Sequence, residues 1–206
     1  MSAGKPFIIG LTGQTGAGKT TVSQVMLLHG FYHINCDRLT ALVLKEGSES
    51  ARDIGRQFPD FFMNGVFDRR KAAAALFSDS GLLARYNAAI FPHINKLISE
   101  MIGAAYAEGH GLILLDAPTL FEAGADKLCD AVISCVAPEE QRIMRIMERD
   151  NISEQAARAR TAAQHDEQFF RAHSDYVIEN GGAVSDAEKA AAETAELIKK
   201  RFEIKT

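Results

Sequence analysis

Gly13, Gly18, Lys19 and Thr20 carry the spacing G-x-x-x-x-G-K-[ST] inside the segment GLTGQTGAGKTT, directly behind the apolar run Phe7-Ile8-Ile9. Those residue types in that order suit phosphate. Glycines at 13, 16 and 18 let the backbone turn tightly and bring N–H groups close to phosphate oxygens. Lys19 can set one ammonium between the β- and γ-phosphates of a nucleotide, and Thr20 offers a hydroxyl to Mg²⁺. With Gln14, Thr15, Gly16, Ala17 and Thr21 these residues form a candidate nucleotide cradle, and a helix opening at Lys19 aims the positive end of its dipole at the same anion. A glycine-rich turn without a ligand is the bland alternative. The strand before the motif and the helix after it weigh against that alternative.

Phosphoryl transfer also needs a carboxylate that orients or deprotonates the acceptor hydroxyl, and cations that meet the developing charge. Asp37, just past a second predicted strand, is the candidate base, with helix capping as its structural alternative. Asp116 ends the run GLILLD and is the candidate carboxylate for Mg²⁺ or its water shell; a turn aspartate before Ala117-Pro118 is the rival reading. Arg149, Arg158 and Arg160 follow Pro138 and carry a donor fork that matches phosphate oxygens, Arg149 standing apart from the other two by helical spacing. Arg69, Arg70 and Lys71 form a basic cluster after Asp68 that suits an anionic second substrate. His93, after Pro92, lines the same pocket or serves a structural role. Asn180 precedes Gly181-Gly182, where a loop can pass beside an adenine. The guanine-reading sequence N-K-x-D is absent, and 206 residues leave little room for motor or transport machinery, so a small kinase is favoured.

The elements that must hold these groups are legible as alternation. Strands are expected at Phe7 to Leu11, Phe31 to Asn35, Gly111 to Asp116, Asp130 to Val136 and within DYVIEN. Helices are expected from Lys19 to Leu28, Asp68 to Phe77, Leu82 to Tyr106 with an interruption or bend near Pro92, from Pro138 onward, and from Ser153 to Gln164. Ile143, Met144 and Met147 read as an apolar core stripe, and Ser185 with Glu188 as a capping box for a terminal helix. From Arg38 to His110 strand signals nearly vanish. The pattern predicts a doubly wound α/β fold with a mostly parallel five-stranded sheet, in three parts. These are a nucleotide core (1–37, 111–144 and 165–206), a helical insertion over 38–110, and a small lid over 145–164.

Composition sets outer bounds. Hydrophobic residues make up 47% and charged residues 24%, and the formal net charge is -4. That balance argues against a protein built to coat nucleic acid or an anionic membrane. The three cysteines, Cys36, Cys129 and Cys135, show no paired metal spacing. The opening Met1-Ser2-Ala3-Gly4-Lys5-Pro6 lacks a secretory leader pattern, which makes cytoplasm the expected compartment, with a monomer or weak homo-oligomer expected there.

The segments IGLTGQTGAGKTTV, INCD, NGVFDRR, YNAAIFPHI, LDAPTLFE, EEQRIMRIMERD, RTAAQ and SDYVIENGG, taken in order, resemble the dephospho-CoA kinase family over nearly the whole chain. The resemblance implies the P-loop kinase fold, ATP and Mg²⁺ as cofactors, and dephospho-CoA as acceptor, phosphorylated at its ribose 3′-hydroxyl. It further implies that Asp37 handles that hydroxyl, that Lys19 and Thr20 keep their loop roles, and that Arg149 and Arg160 are lid arginines. On the acceptor side it points to Asp37, Arg69, Arg70, Phe91, His93, Asp116 and Leu120. Three positions depart from the family pattern. Asn35-Cys36-Asp37 replaces D-A-D, Phe91-Pro92-His93-Ile94 replaces H-P-x-I, and Thr119 replaces a leucine beside Leu120. Another P-loop kinase of small metabolites or nucleotides, and a nucleotide-binding regulator without transfer, are the alternatives.

Overall fold

The computed structural model describes residues 5–204, so the opening tetrapeptide of the leader expectation lies outside the described residues. Two compact units emerge, Met1–Ile34 with Ala105–Thr206, and Asn35–Ala104.

The first unit is built on β1 (Phe7–Gly13), α1 (Lys19–Leu28) and β2 (Tyr32–Asn35). After the second unit it resumes with β5 (Leu112–Asp116), β6 (Ala131–Val136), α6 (Glu139–Asp150), α7 (Glu154–Ala162), α8 (Glu167–His173), β7 (Tyr176–Glu179) and α9 (Val184–Arg201). Sheet order is β2-β5-β1-β6-β7, and β1 runs parallel to both β5 and β6, as β6 does to β7. Every residue of LILLD and AVISCV is buried, as a parallel sheet covered on both faces requires. Ile9, Leu11, Leu114 and Ile133 pack with Val22 and Met26 of α1 and with Ala191, Ala195 and Ile198 of α9. Each large aliphatic side chain fully buried there contributes roughly 1.5–3 kcal/mol. The chain leaves β1 toward one edge and crosses to the other after β5, so the carboxyl ends of these neighbouring strands flank a reversal of winding, where such sheets bind ligands. Register sets Leu11 opposite Asp116 and Gly13 opposite Cys135.

The second unit holds α2 (Leu39–Val43), α3 (Glu49–Gln57), β3 (Phe62–Met63), β4 (Val66–Phe67), α4 (Arg69–Ser78) and most of α5 (Ser80–Ala107). Its centre is aromatic. Tyr86 meets Phe58 and Phe61 edge-on at centroid distances of 5.4 and 5.8 Å. Ser48 caps α3 and Asp68 caps α4, each side chain accepting a hydrogen bond from a backbone N–H of the first turn.

Four expectations are corrected and one helix is added. Strand signals do not vanish from the insertion: β3 and β4 pair antiparallel across Asn64-Gly65, whose φ values of 53° and 82° are those a two-residue hairpin turn demands. The helix around Pro92 is not interrupted but continuous from Ser80, because Ile90, Ile94, Ile98 and Ile102 form a buried stripe that holds it across the missing donor. A separate helix, α8, follows α7. Met144 is exposed; the stripe on α6 keeps Ile143 and the partly buried Met147 and adds Ile146, packing with Ala157 of α7. The terminal helix starts at Val184, and Asp186, not Glu188, returns to the backbone N–H that precedes it.

Candidate functional site

The loop between β1 and α1 is shaped by its glycines. Gly13 has φ +143°, and a Cβ there would lie 2.3 Å from the carbonyl oxygen of Cys135. Gly18 has φ +85°, and a Cβ there would lie 2.0 Å from Nδ2 of Asn180. Three side chains from three other segments hold the loop backbone. Thr15 N–H donates to Oε1 of Gln164 at 2.7 Å, Arg145 Nη1 donates to the carbonyl of Gly16 at 3.2 Å, and Asn180 Nδ2 donates to that of Ala17 at 2.9 Å. Gln14 is buried and fixed through its own N–H to Cys135, while its side-chain Oε1 has no hydrogen-bond partner. Ala17 is fully buried, and Thr21 N–H bonds back to Gly18 in the first turn of α1. Thr20, on that turn, is exposed. The first N–H groups of a helix have no partner within it, so the segment ends in donors.

Lys19 is paired with Asp116, its ammonium on Oδ1. Asp116 is 4% exposed, and its other oxygen, Oδ2, lies 3.1 Å from Nε2 of His33 on β2. Behind this pair the Cys135 thiol is pushed up to about 12, chiefly by burial, with Lys19 opposing and Asp116 adding to the shift. Leu120, beyond Asp116, is fully buried, and a Cβ on Gly10 would meet it at 2.8 Å.

The arginines of α6 and α7 divide differently from their expected grouping. Arg149 and Arg160 converge on Asp150, Arg149 with both of its bonding nitrogens at 2.8 and 2.9 Å. Hydrogen bonding from Arg149 and the nearby charges lower Asp150 to about 2. Arg158 stands apart, bound to Glu140 and Glu154. Arg145 bonds the loop through its guanidinium, at the carbonyl of Gly16. Arg142 is buried against Ala137, to whose carbonyl its Nε donates at 3.1 Å, and burial lowers its pKa.

In the second unit, Asp37 is exposed, and its N–H bonds the side chain of Asn35, which caps a short turn over Cys36–Arg38. Arg69 and Arg70 are exposed at the start of α4. Burial raises Tyr86 to about 12, with Arg69's charge pulling the other way. An open cleft of about 940 Å³ is lined by Phe58, Phe61, Lys71, Leu82 and Arg85 among others. His93 bonds Oδ2 of Asp53 at 3.0 Å, and that bond, helped by Arg56, lowers the Asp53 pKa. Phe91 is half-buried on the same helix.

His33, Arg145 and Gln164 are members of this site that residue patterns alone did not single out. Arg145 had a usable signal, since it lies four residues before Arg149 on the same amphipathic helix. His33 had none, and Gln164 stood only as the end of the segment RTAAQ; each acts through a contact far away in sequence.

The family model for dephospho-CoA kinase matches residues 7–186. A dephospho-CoA kinase of Thermus thermophilus is 34% identical over 185 residues, covering 90% of this chain and 88% of the relative. A crystal structure from the same organism superimposes with a TM-score of 0.79 at 30% identity, covering 98% of this chain and all of the other. A dephospho-CoA kinase structure from Campylobacter jejuni shares the fold with a TM-score of 0.65 at 24% identity, over 96% and 98% of the two chains.

Proposed function

The chain belongs to the dephospho-CoA kinase family, and from that premise we propose that it transfers the γ-phosphoryl group of ATP to the ribose 3′-hydroxyl of dephospho-CoA, giving coenzyme A and ADP. The observation that carries this reading is the half-buried Lys19 ammonium paired with the buried Asp116 carboxylate at the base of a loop in which a side chain on Gly13 or Gly18 would collide with backbone or amide. A glycine-rich turn without a ligand has no need of an ammonium held on a buried carboxylate.

Loop N–H groups and the start of α1 bind the phosphates, and Lys19 leaves Asp116 to lie between the β- and γ-phosphoryl oxygens. Asp37 accepts the proton of the 3′-hydroxyl as its oxygen bonds to phosphorus. The bond from the γ-phosphorus to the bridging oxygen breaks, and ADP departs with that electron pair. Arg145, Arg149 and Arg160 meet the charge that spreads over the transferring group, the last two after release from Asp150. Residues 145–164 act as a lid, with Asn180 bracing the loop beside the base.

Thr20 and Asp116 would hold Mg²⁺. Their hard oxygens fit that ion, and among the described residues no cluster of three or more His, Cys, Asp or Glu competes as a metal cage. Mg²⁺ characteristically takes few protein oxygens and completes its shell with phosphate and water. When bound it supplies charge neutralisation across the β- and γ-phosphates. The helical insertion over 38–110 receives the acceptor, and Phe58, Phe61, Lys71 and Arg85 line a cleft with apolar and cationic walls for it. Among the described residues no helix is long and apolar enough to cross a membrane.

The test is a product assay with Mg·ATP and a panel of dephospho-CoA, nucleoside monophosphates and small hydroxy acids. Saturable conversion of dephospho-CoA alone is expected. Preferred phosphorylation of a nucleoside monophosphate would transfer the reading to another kinase of the same fold, and ATP binding without any product would leave a regulator.

A further inference from the structure

We propose that His33 is a positioning residue that fixes the direction in which Asp116 presents its carboxylate to Mg²⁺. This rests on the assignment of Asp116 given above. Asp116 is almost wholly removed from water, so its oxygens depend on protein donors. Among the described residues there are two, the Lys19 ammonium on Oδ1 and the His33 imidazole on Oδ2 at 3.1 Å. The first donor is temporary. When phosphates arrive, Lys19 serves them, and Oδ1 becomes available.

A carboxylate turns easily, because the terminal torsion of aspartate has broad, roughly two-fold wells. With Lys19 gone and nothing on Oδ2, the two oxygens would be interchangeable. His33 removes that freedom. Its side chain comes from β2, the strand beside β5, so the donor sits on the sheet and not on a loop. A proton on Nε2 of the neutral ring suffices for the bond; no positive charge is needed. Oδ2 stays bound to the imidazole, and Oδ1 would be the oxygen left to serve the ion. Partners of this kind, one step removed from the metal, orient the ligand and carry much of the affinity.

Calorimetric titration of ADP with Mg²⁺ and of ADP with EDTA separates the metal's share of binding from the loop's share. The wild type, H33A, H33L, H33Q and D116N are compared. H33A and H33L should lose roughly tenfold or more of the Mg²⁺-dependent gain in affinity while their metal-free affinity stays within about threefold of wild type. H33Q, whose amide can donate near the Nε2 position, should regain most of that loss. If D116N loses the gain and both H33A and H33L keep it, the role of His33 is overturned and the metal assignment stands. If D116N keeps the gain, or the wild type shows none, the metal assignment falls and the proposal with it. An equal loss with and without Mg²⁺ in H33A and H33L, or an H33Q no better than H33L, would also overturn it, since either marks a packing role. If H33A fails to fold, H33L against H33Q decides alone.

Discussion

Replacing Gly18 with alanine perturbs the loop at one atom and lets the cost be worked out. The backbone there has φ +85°, a left-handed conformation that costs an L-residue about 1–2 kcal/mol. The new Cβ would also lie 2.0 Å from Nδ2 of Asn180, a buried side chain whose amide donates to the Ala17 carbonyl. Asn180 must move, that bond is lost, and a polar group is left without a partner, at about 1–3 kcal/mol. Together these give a destabilisation of roughly 2–5 kcal/mol, which for a chain of this size lowers the melting temperature by about 4–20 °C. Urea unfolding of G18A, N180A and the double variant reads the two contributions separately. N180A alone should cost about 1–2 kcal/mol, and because the same bond is counted in both singles, the double should fall short of their sum by about 1 kcal/mol. A G18A protein as stable as the wild type would refute the strain argument. Strict additivity would refute the part assigned to Asn180.

Asp37→Asn should lower kcat by roughly 10²–10⁴-fold while ATP affinity hardly changes, and a steady-state assay with unaltered kcat would remove Asp37 from the proton's path. Asp150→Asn should loosen the junction of α6 and α7, and the pH dependence has a definite sign. The folded-state pKa of Asp150 is depressed from 3.8 to about 2, so its contribution is present above the ordinary carboxylate pKa and is lost as pH falls through about 2. The urea midpoints of wild type and D150N should therefore differ near neutrality and converge in acid; a gap that widens on acidification would contradict the pairing. Cys135, with its thiol at about 12 and no exposure, should react with a thiol reagent at mildly alkaline pH only as fast as the protein unfolds. Rapid labelling in the native state, located by peptide mass, would show the strand to be open.

The strands of the first unit were legible because a parallel sheet buried on both faces leaves continuous apolar runs, and LILLD and AVISCV are such runs. The phosphate loop was legible because its glycines and Lys19-Thr20 lie within a single stretch of chain. Less local features were not. The hairpin across Asn64-Gly65 has strands of two residues each, too short for any periodicity, although the Asn-Gly pair is itself a turn signal. Which arginine reaches the loop depends on the rotation of α6 against the sheet, and five arginines between 142 and 160 offer no distinction by type. His33 reads as one more residue of a short strand until Asp116, 83 positions later, is seen beside it.

The hydrogen bond from Thr15 to Gln164 means that the loop already holds an oxygen supplied by the polypeptide itself. Any small anion arriving there competes with a tethered carbonyl that never diffuses away, a rival at high effective concentration. A ligand offering one oxygen gains little from such an exchange. A triphosphate that engages several donors and the lysine at once is better placed to displace it than a single oxygen is, so the bond from Thr15 to Gln164 sets a threshold that an incoming anion has to exceed.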